Sequence, residues 1–262
     1  CHGGTVYCLA SYDAGSKKLV TLSHPFSVDV DSAKMEFYEP EKETEDVVLF
    51  SKFGMIGEFF LGRMVGGVFE GSRSPGFKHP DTLFRIKDMP LRLCTAVRVD
   101  STKTYRYVRY FGPRGGFGNV SEVGFYSSWA DTEPLKGDIL GPQEGAHGSH
   151  SYFNVFDGHT DTSYDHPFDY GGWAGLDLGE KKAIGKIVYT PRNRDNFVRK
   201  DDLYELLVCH GGEWKSAGTQ VAQSDSLLFR NIPKHALLLL RDLSRGEAER
   251  LFEYKDGVQK YW

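Results

Sequence analysis

Long apolar runs are missing from this chain. The longest, ALLLL at 236–240, falls far short of the roughly 20 residues that carry a helix across a bilayer, so no membrane span is expected. Blocked positive charge is missing too. The 32 lysines and arginines are scattered among 36 acidic residues, for a net charge of −4. A nucleic-acid binder would show a basic stripe, so no nucleic-acid partner is expected. Cysteine is scarce, and Cys1, Cys8, Cys94 and Cys209 lack the short paired spacing of a zinc site. Two or more of them read as buried thiols acting as small hydrophobes, with a Cys1–Cys8 bridge as a further possibility. No Gly-x-Ser-x-Gly elbow, phosphate loop or His-Glu-x-x-His helix occurs. The acidic runs EKETED (41–46) and RKDD (199–202) read as solvated turns. Cys209 and His210 are neighbours on a strand, so they face opposite ways. The expectation is a non-catalytic chain.

Helical periodicity is nearly absent as well, RGEAERLFEY (245–254) being the one plausible helical turn. What the chain has is glycine, tyrosine and alternation. Thirty glycines and fourteen tyrosines suit short strands joined by tight turns. TAVRVDSTKTYRYVRYF (95–111) reads as two alternating runs around a polar turn. Within it, Tyr105, Tyr107 and Arg109 fall on one face, Val108 and Tyr110 on the other. KIVYT (186–190) stops at Pro191. DLYELLVCHGGEWKSAG (202–218) reads as a hairpin with a His-Gly-Gly turn. The fold class expected is all-β, built as two tandem β-sandwich domains. The polar, Gly- and Pro-bearing segment 127–151 marks the boundary, giving domains 1–130 and 131–262. The first 45 residues either complete the first sandwich or form a separate strand-rich segment. An echo between DTLFRI (81–86) and DSLLFRNI (225–232) fits two related units.

The densest polar stretch is FDGHTDTSYDH (156–166). In its context, NVFDGHTDTSYD is followed by WAGLDLGEKKAIGKIVYTPR. The order Asn154, Asp157, Gly158, Thr162, Tyr164, then Trp173, Leu176, Asp177, Leu178, Gly179, then Pro191 and Arg192 resembles the discoidin (coagulation factor 5/8 type C) modules, a branch of the galactose-binding-like jelly rolls. That likeness runs over 135–262. In the first half, GGVFEGSRSPGF (66–77) and YRYVRYFGPRGGFGNVSEVGFY (105–126) resemble a more diverged copy, the latter ending in a Glu-x-x-Phe-Tyr pattern. As a pair the halves resemble the C-terminal region of large secreted Bacteroidetes proteins, where such a tandem follows a catalytic unit such as a transglutaminase-like domain. The resemblance implies an extracellular, periplasmic or cell-surface location. Cys1 would then be either the first residue of a mature lipoprotein or a cut within a longer chain.

The resemblance also implies a structural calcium ion, held by the Asp157 carboxylate, the His159 carbonyl, the Thr162 oxygen and a glutamate from the final strands. That glutamate is Glu249, or Glu253 if the register differs. Calcium takes six to eight oxygens in flexible geometry. Two alternatives stay open: an Asx-type turn without an ion, and a transition-metal site drawing on His147, His150, His159 or His166. Ligands of such modules usually meet loops at one end of the sandwich. Rings against apolar sugar faces and planar donors to hydroxyls point to Trp173, Tyr170, Arg192 and Asn193 in the second half, and to Arg114 and Phe117 beside Asn119 in the first. Trp173 also reads as a rim or core residue, and Arg192 as an ion-pair partner of Asp177 or Asp195. The expected partner is a glycan or polysaccharide. A spacer or docking module for neighbouring domains of a larger chain, and a hydrolase using the His/Asp-rich loop, are the alternatives.

Overall fold

The alternating runs form twenty strands in a computed structural model that describes residues 5–13, 15, 18–21, 23–52, 59–100, 102–145, 148–246 and 250–262. The N-terminal segment carries β1 (Val6–Tyr7), β2 (Ala10–Asp13), β3 (Lys18–Thr21), β4 (Phe26–Asp29), β5 (Lys34–Phe37) and β6 (Thr44–Leu49). The middle carries β7 (Val68–Ser72), β8 (Asp81–Arg85), β9 (Thr95–Arg98), β10 (Thr104–Phe111), β11 (Glu122–Tyr126), β12 (Asp138–Leu140), β13 (Trp173–Ala183) and β14 (Lys186–Thr190). The C-terminal segment carries β15 (Leu203–His210), β16 (Glu213–Val221), β17 (Leu227–Pro233), β18 (Leu237–Asp242), β19 (Leu251–Lys255) and β20 (Val258–Tyr261). Among the described residues the α-helix is one turn, Phe59–Gly62, and none is long and apolar enough to cross a membrane. The chain is all-β.

It divides into two compact units, but not at 127–151. One unit is 55–195 and the other joins 1–54 to 196–262. The domains expected at 1–130 and 131–262 are therefore corrected. The ladders β10–β13 and β11–β14 run from one side of residue 130 to the other, so a cut there would sever two sheets. The Gly- and Pro-bearing stretch is a surface connection between paired strands, and turn residues report a connection, not which strands pair across it. The chain leaves and re-enters the outer unit at adjacent positions. Ser51 bridges Phe197, Lys52 N–H donates to the Asn196 carbonyl and Val198 N–H to that of Phe50. That is the geometry of an insertion.

In the inserted unit a five-stranded antiparallel sheet, β12-β13-β10-β7-β8, and a three-stranded one, β11-β14-β9, share one core. Phe69, Val108, Tyr110, Ala174 and Leu176 come from the first, Val123, Phe125, Ile187 and Tyr189 from the second. The arrangement is sandwich-like. Tyr105 departs from simple alternation. A register shift between Tyr105 and Tyr107 on the β13 side turns it into the core beside Val108 and Tyr110, as a bulge does. Tyr107 packs on Phe77 instead.

In the outer unit, β16-β15-β18-β19-β20 form a five-stranded sheet, with smaller sheets β17-β6, β1-β4-β5 and β2-β3. ALLLL lies in and just before β18, with Leu237, Leu238 and Leu240 buried. Val47, Leu49, Phe229 and Ile232 of β6 and β17 share a core with Tyr204, Leu206 and Phe252. The expected hairpin is present, Gly211 and Gly212 supplying positive φ between His210 and Glu213. The strand-like tail of RGEAERLFEY is a strand, Leu251–Lys255 being β19, antiparallel to β18, while 247–249 lie outside the described residues. Of the cysteines, Cys209 is buried while Cys8 and Cys94 are exposed; Cys1 lies outside the described residues.

Where the outer unit is stitched at Lys52, its ammonium meets Asp242 Oδ2 at 3.3 Å, the two side chains only 2% and 1% exposed. The other Asp242 oxygen accepts the backbone N–H groups of Ser244 and Arg245. Removing one member of such a pair strands a buried charge. Lys52→Ala is expected to destabilise the outer unit by roughly 3–5 kcal/mol, read from urea unfolding. A loss below about 1 kcal/mol, the scale of an exposed ion pair, would mean that water reaches Asp242.

Candidate functional site

The polar loop of the inserted unit is built from its caps outward. Ser151 Oγ accepts from Phe153 N–H and opens the 3-10 turn Tyr152–Phe156, which Asp157 closes. Gly158 follows at φ +82, a backbone state that glycine adopts without strain. The chain then folds back on Asp157. His159 N–H donates to Asp157 Oδ1 at 2.8 Å, and Thr162 Oγ1 lies 2.9 Å from both Asp157 Oδ2 and the His159 carbonyl. Two amides hold the frame. Asn154 Nδ2 donates to the carbonyls of Ser149 and Ser163, and buried Asn193 Nδ2 to those of Thr160 and Pro191.

Glu122 arrives from β11, its Oε1 accepting Gly158 N–H at 2.7 Å. Burial, and then the neighbouring Asp157 carboxylate, push its carboxyl up to about 8 against the opposing pull of that amide. No lysine or arginine pairs with Glu122 or Asp157 among the described residues. Asp157, the His159 carbonyl and the Thr162 hydroxyl thus gather in the loop, and the Glu122 carboxyl lies against Asp157. This is a donor set suited to a hard cation. Glu122 and Gly158 also line a cavity of about 460 Å³ walled by Tyr126, Lys136, Ile139 and Phe156.

Asp157, His159 and Thr162 lie together in the loop, in hydrogen bonds that an Asx-type turn also makes, and Glu249 lies outside the described residues. Glu253 belongs to β19 of the other unit. The carboxylate that meets Asp157 is Glu122, and its signal was in the sequence: it is the glutamate of the Glu-x-x-Phe-Tyr pattern ending at Tyr126. The histidines do not gather. His150 Nδ1 sits on Ser163, and His166 is buried with Nδ1 3.0 Å from the Tyr164 hydroxyl; burial lowers its pKa. His147 lies outside the described residues.

A second feature forms where loop 112–119 meets loop 164–172. Gly112 N–H donates to the Gly172 carbonyl, Gly115 to Asp169 and His166 to Phe117. The approach is close enough that a Cβ on Gly118, at φ +62, would sit 2.7 Å from the Tyr164 ring. Arg114 consequently lies over Tyr170, 5.1 Å from its centroid. Tyr170 and Phe168 are 57% and 52% exposed and stack at 6.4 Å with planes 28° apart. These rings stand in solvent.

The other expected ligand residues are packed. Trp173 is half-buried against Phe77 and the Arg109 guanidinium. Arg192 pairs with Asp165 and covers the Phe60 ring at 4.5 Å, while Asp177 is taken bidentately by Arg106. Phe117 lies under Arg63 at 4.6 Å, and Arg63 in turn donates to Asn119 Oδ1. Asn193 is spent on the loop carbonyls. Phe168, which stacks on Tyr170, was not singled out in the sequence. Comparison with protein families, with curated proteins and with solved structures finds no match to this chain.

The carboxylate pair has a pH signature. The folded state keeps the Glu122 proton up to about 8, while the unfolded chain releases it near 4.5. Between those values the unfolded state binds fewer protons, so stability falls as pH rises through that window. In EDTA, melting of the inserted unit should drop from pH 5 to pH 8, and Glu122→Gln should flatten the drop. An equally steep drop in the variant would assign it to another group.

Proposed function

We propose that the inserted unit is a non-catalytic, galactose-binding-like jelly roll that binds a glycan through the Phe168–Tyr170 ring pair with Arg114 and Asp169. The observation that carries this is two stacked rings more than half exposed beside a guanidinium. Rings of this kind cover the apolar face of a sugar while planar donors and a carboxylate meet its hydroxyls. Of the segments that carry the likeness to discoidin-type modules, 66–77, 105–126 and 154–192 fall within 55–195, while 202–218 falls in the other unit. Secretion or surface display would go with such a role.

Calcium belongs to the same reading. Asp157, Glu122, the His159 carbonyl and Thr162 would hold it, and it would supply the positive charge that the carboxylate pair lacks. Its work is bracing: it would pin the 157–162 loop to β11. A docking role for the outer unit is a second reading, favoured by Val30, Met35 and Phe37, which are 57%, 53% and 47% exposed on and beside β4 and β5.

Two measurements follow. On arrays and affinity gels of host and plant polysaccharides, Tyr170→Ala and Phe168→Ala should each weaken retention about tenfold, the equivalent of ~1.4 kcal/mol. Trp173→Ala should change stability more than retention. Blank arrays, or retention that ignores both ring deletions, would end the glycan reading and favour docking. Separately, EDTA should lower the melting temperature and calcium restore it, by linkage, with the response lost in Asp157→Asn. A calcium response that survives Asp157→Asn would place the ion elsewhere.

A further inference from the structure

A different set of ligand atoms lies in the outer unit. Glu36 on β5, His235 in the turn between β17 and β18, and Glu253 on β19 are far apart in sequence. Each contributes one ligand atom to a group that lies within 4.8 Å. This is the one such trio of His, Cys, Asp or Glu among the described residues. Unlike the all-oxygen donor set at Asp157, it includes an imidazole nitrogen.

The hydrogen bonding of His235 fixes which nitrogen faces the trio. Its Nε2 lies 2.9 Å from the Phe37 carbonyl, which can only accept, so Nε2 carries the proton. In the neutral ring Nδ1 then presents a lone pair, and Nδ1 stands 3.9 Å from Glu253 Oε1. A backbone carbonyl on the far nitrogen is how ligating imidazoles are usually held.

Glu253 is the independent observation. Its side chain is 4% exposed, and among the described residues it accepts no hydrogen bond. Lys260 is opposite Glu253 in register but lies over the Trp262 ring, 4.3 Å from its centroid. A buried carboxylate that faces a lone pair and a second carboxylate is costly unless a cation joins them.

We propose that Glu36, His235 and Glu253 bind a divalent transition-metal ion of the zinc class. Two carboxylate oxygens and one imidazole nitrogen suit such an ion better than calcium or magnesium, which prefer oxygen alone. Two carboxylates balance its charge. Glu36 is exposed, which leaves the remaining coordination positions open to water, as in three-ligand zinc sites. The ion would tie β5 to the turn before β18 and to β19. This site is separate from the glycan reading and does not rest on it.

The full chain, stripped with EDTA and dialysed, is titrated with zinc chloride by calorimetry, and its melting temperature is followed with and without zinc. One equivalent should bind and raise the melting temperature. Glu36→Gln, on the exposed strand, and His235→Ala should each weaken binding at least about tenfold, with Glu253→Gln as the near-isosteric third variant. Glu213→Gln, at the exposed start of β16, should leave zinc binding unchanged. Failure of the wild type to bind zinc would overturn the site, as would equal binding by Glu36→Gln and His235→Ala. The trio would then be an ion pair between protonated His235 and Glu253. Neither result touches retention on polysaccharides.

Discussion

The pairing of β10 with β13 is the constraint on which the inserted unit rests. Its ladder runs from Thr104↔Ala183 to Phe111↔Trp173, and both strands lie in the interior of the five-stranded sheet. Because the ladder ends at Phe111 and Trp173, the segments just beyond them, 112–119 and 164–172, are forced together. Arg114 and Tyr170 could not share a surface otherwise. Glycine at 118 and 172 lets the two backbones approach, and no side chain could stand between them there.

The same two-layer construction sets the electrostatics of the polar loop. Glu122 is the first residue of β11, which pairs with β14 at the edge of the smaller sheet. The half-buried position that makes it costly to ionise also aims it at the amide of Gly158. Asp157 has its own retinue of donors, so the pair differs sharply: one carboxylate is well solvated by the loop, the other is not. A second carboxyl that burial keeps protonated up to about 8 is what separates this loop from an ordinary Asx turn, which satisfies its aspartate locally and stops there.

How much of this was legible depends on the range of the signal. Strands, the Gly211–Gly212 hairpin and the return of the loop onto Asp157 were readable because each is decided within a dozen residues. The unit boundary was not. Residues 127–151 look like a linker by composition, yet whether β10 pairs with a strand before or after them is a long-range matter that one sequence encodes only through its core. For the same reason the approach of Glu122 to Asp157 went unread: its pattern was noticed, but assigned to the other half. Arg192 and Trp173 show the complementary case, in which an ion-pair role and a rim or core role stood open beside recognition. Their residue types suit recognition, but packing against Phe60 and against Phe77 claimed them first.

The adjacency of Lys52 and Asn196 has a consequence for synthesis. Strand β6 at Thr44–Leu49 can find its partner only when Leu227–Pro233 has been made, long after the ribosome has finished residue 195. The inserted unit is complete by then. Translation therefore leaves β6 waiting with a sheet edge open while the middle is free to fold and β1 to β5 can pair among themselves. Any factor that shields nascent strands would be needed for β6, not for the glycine-rich middle.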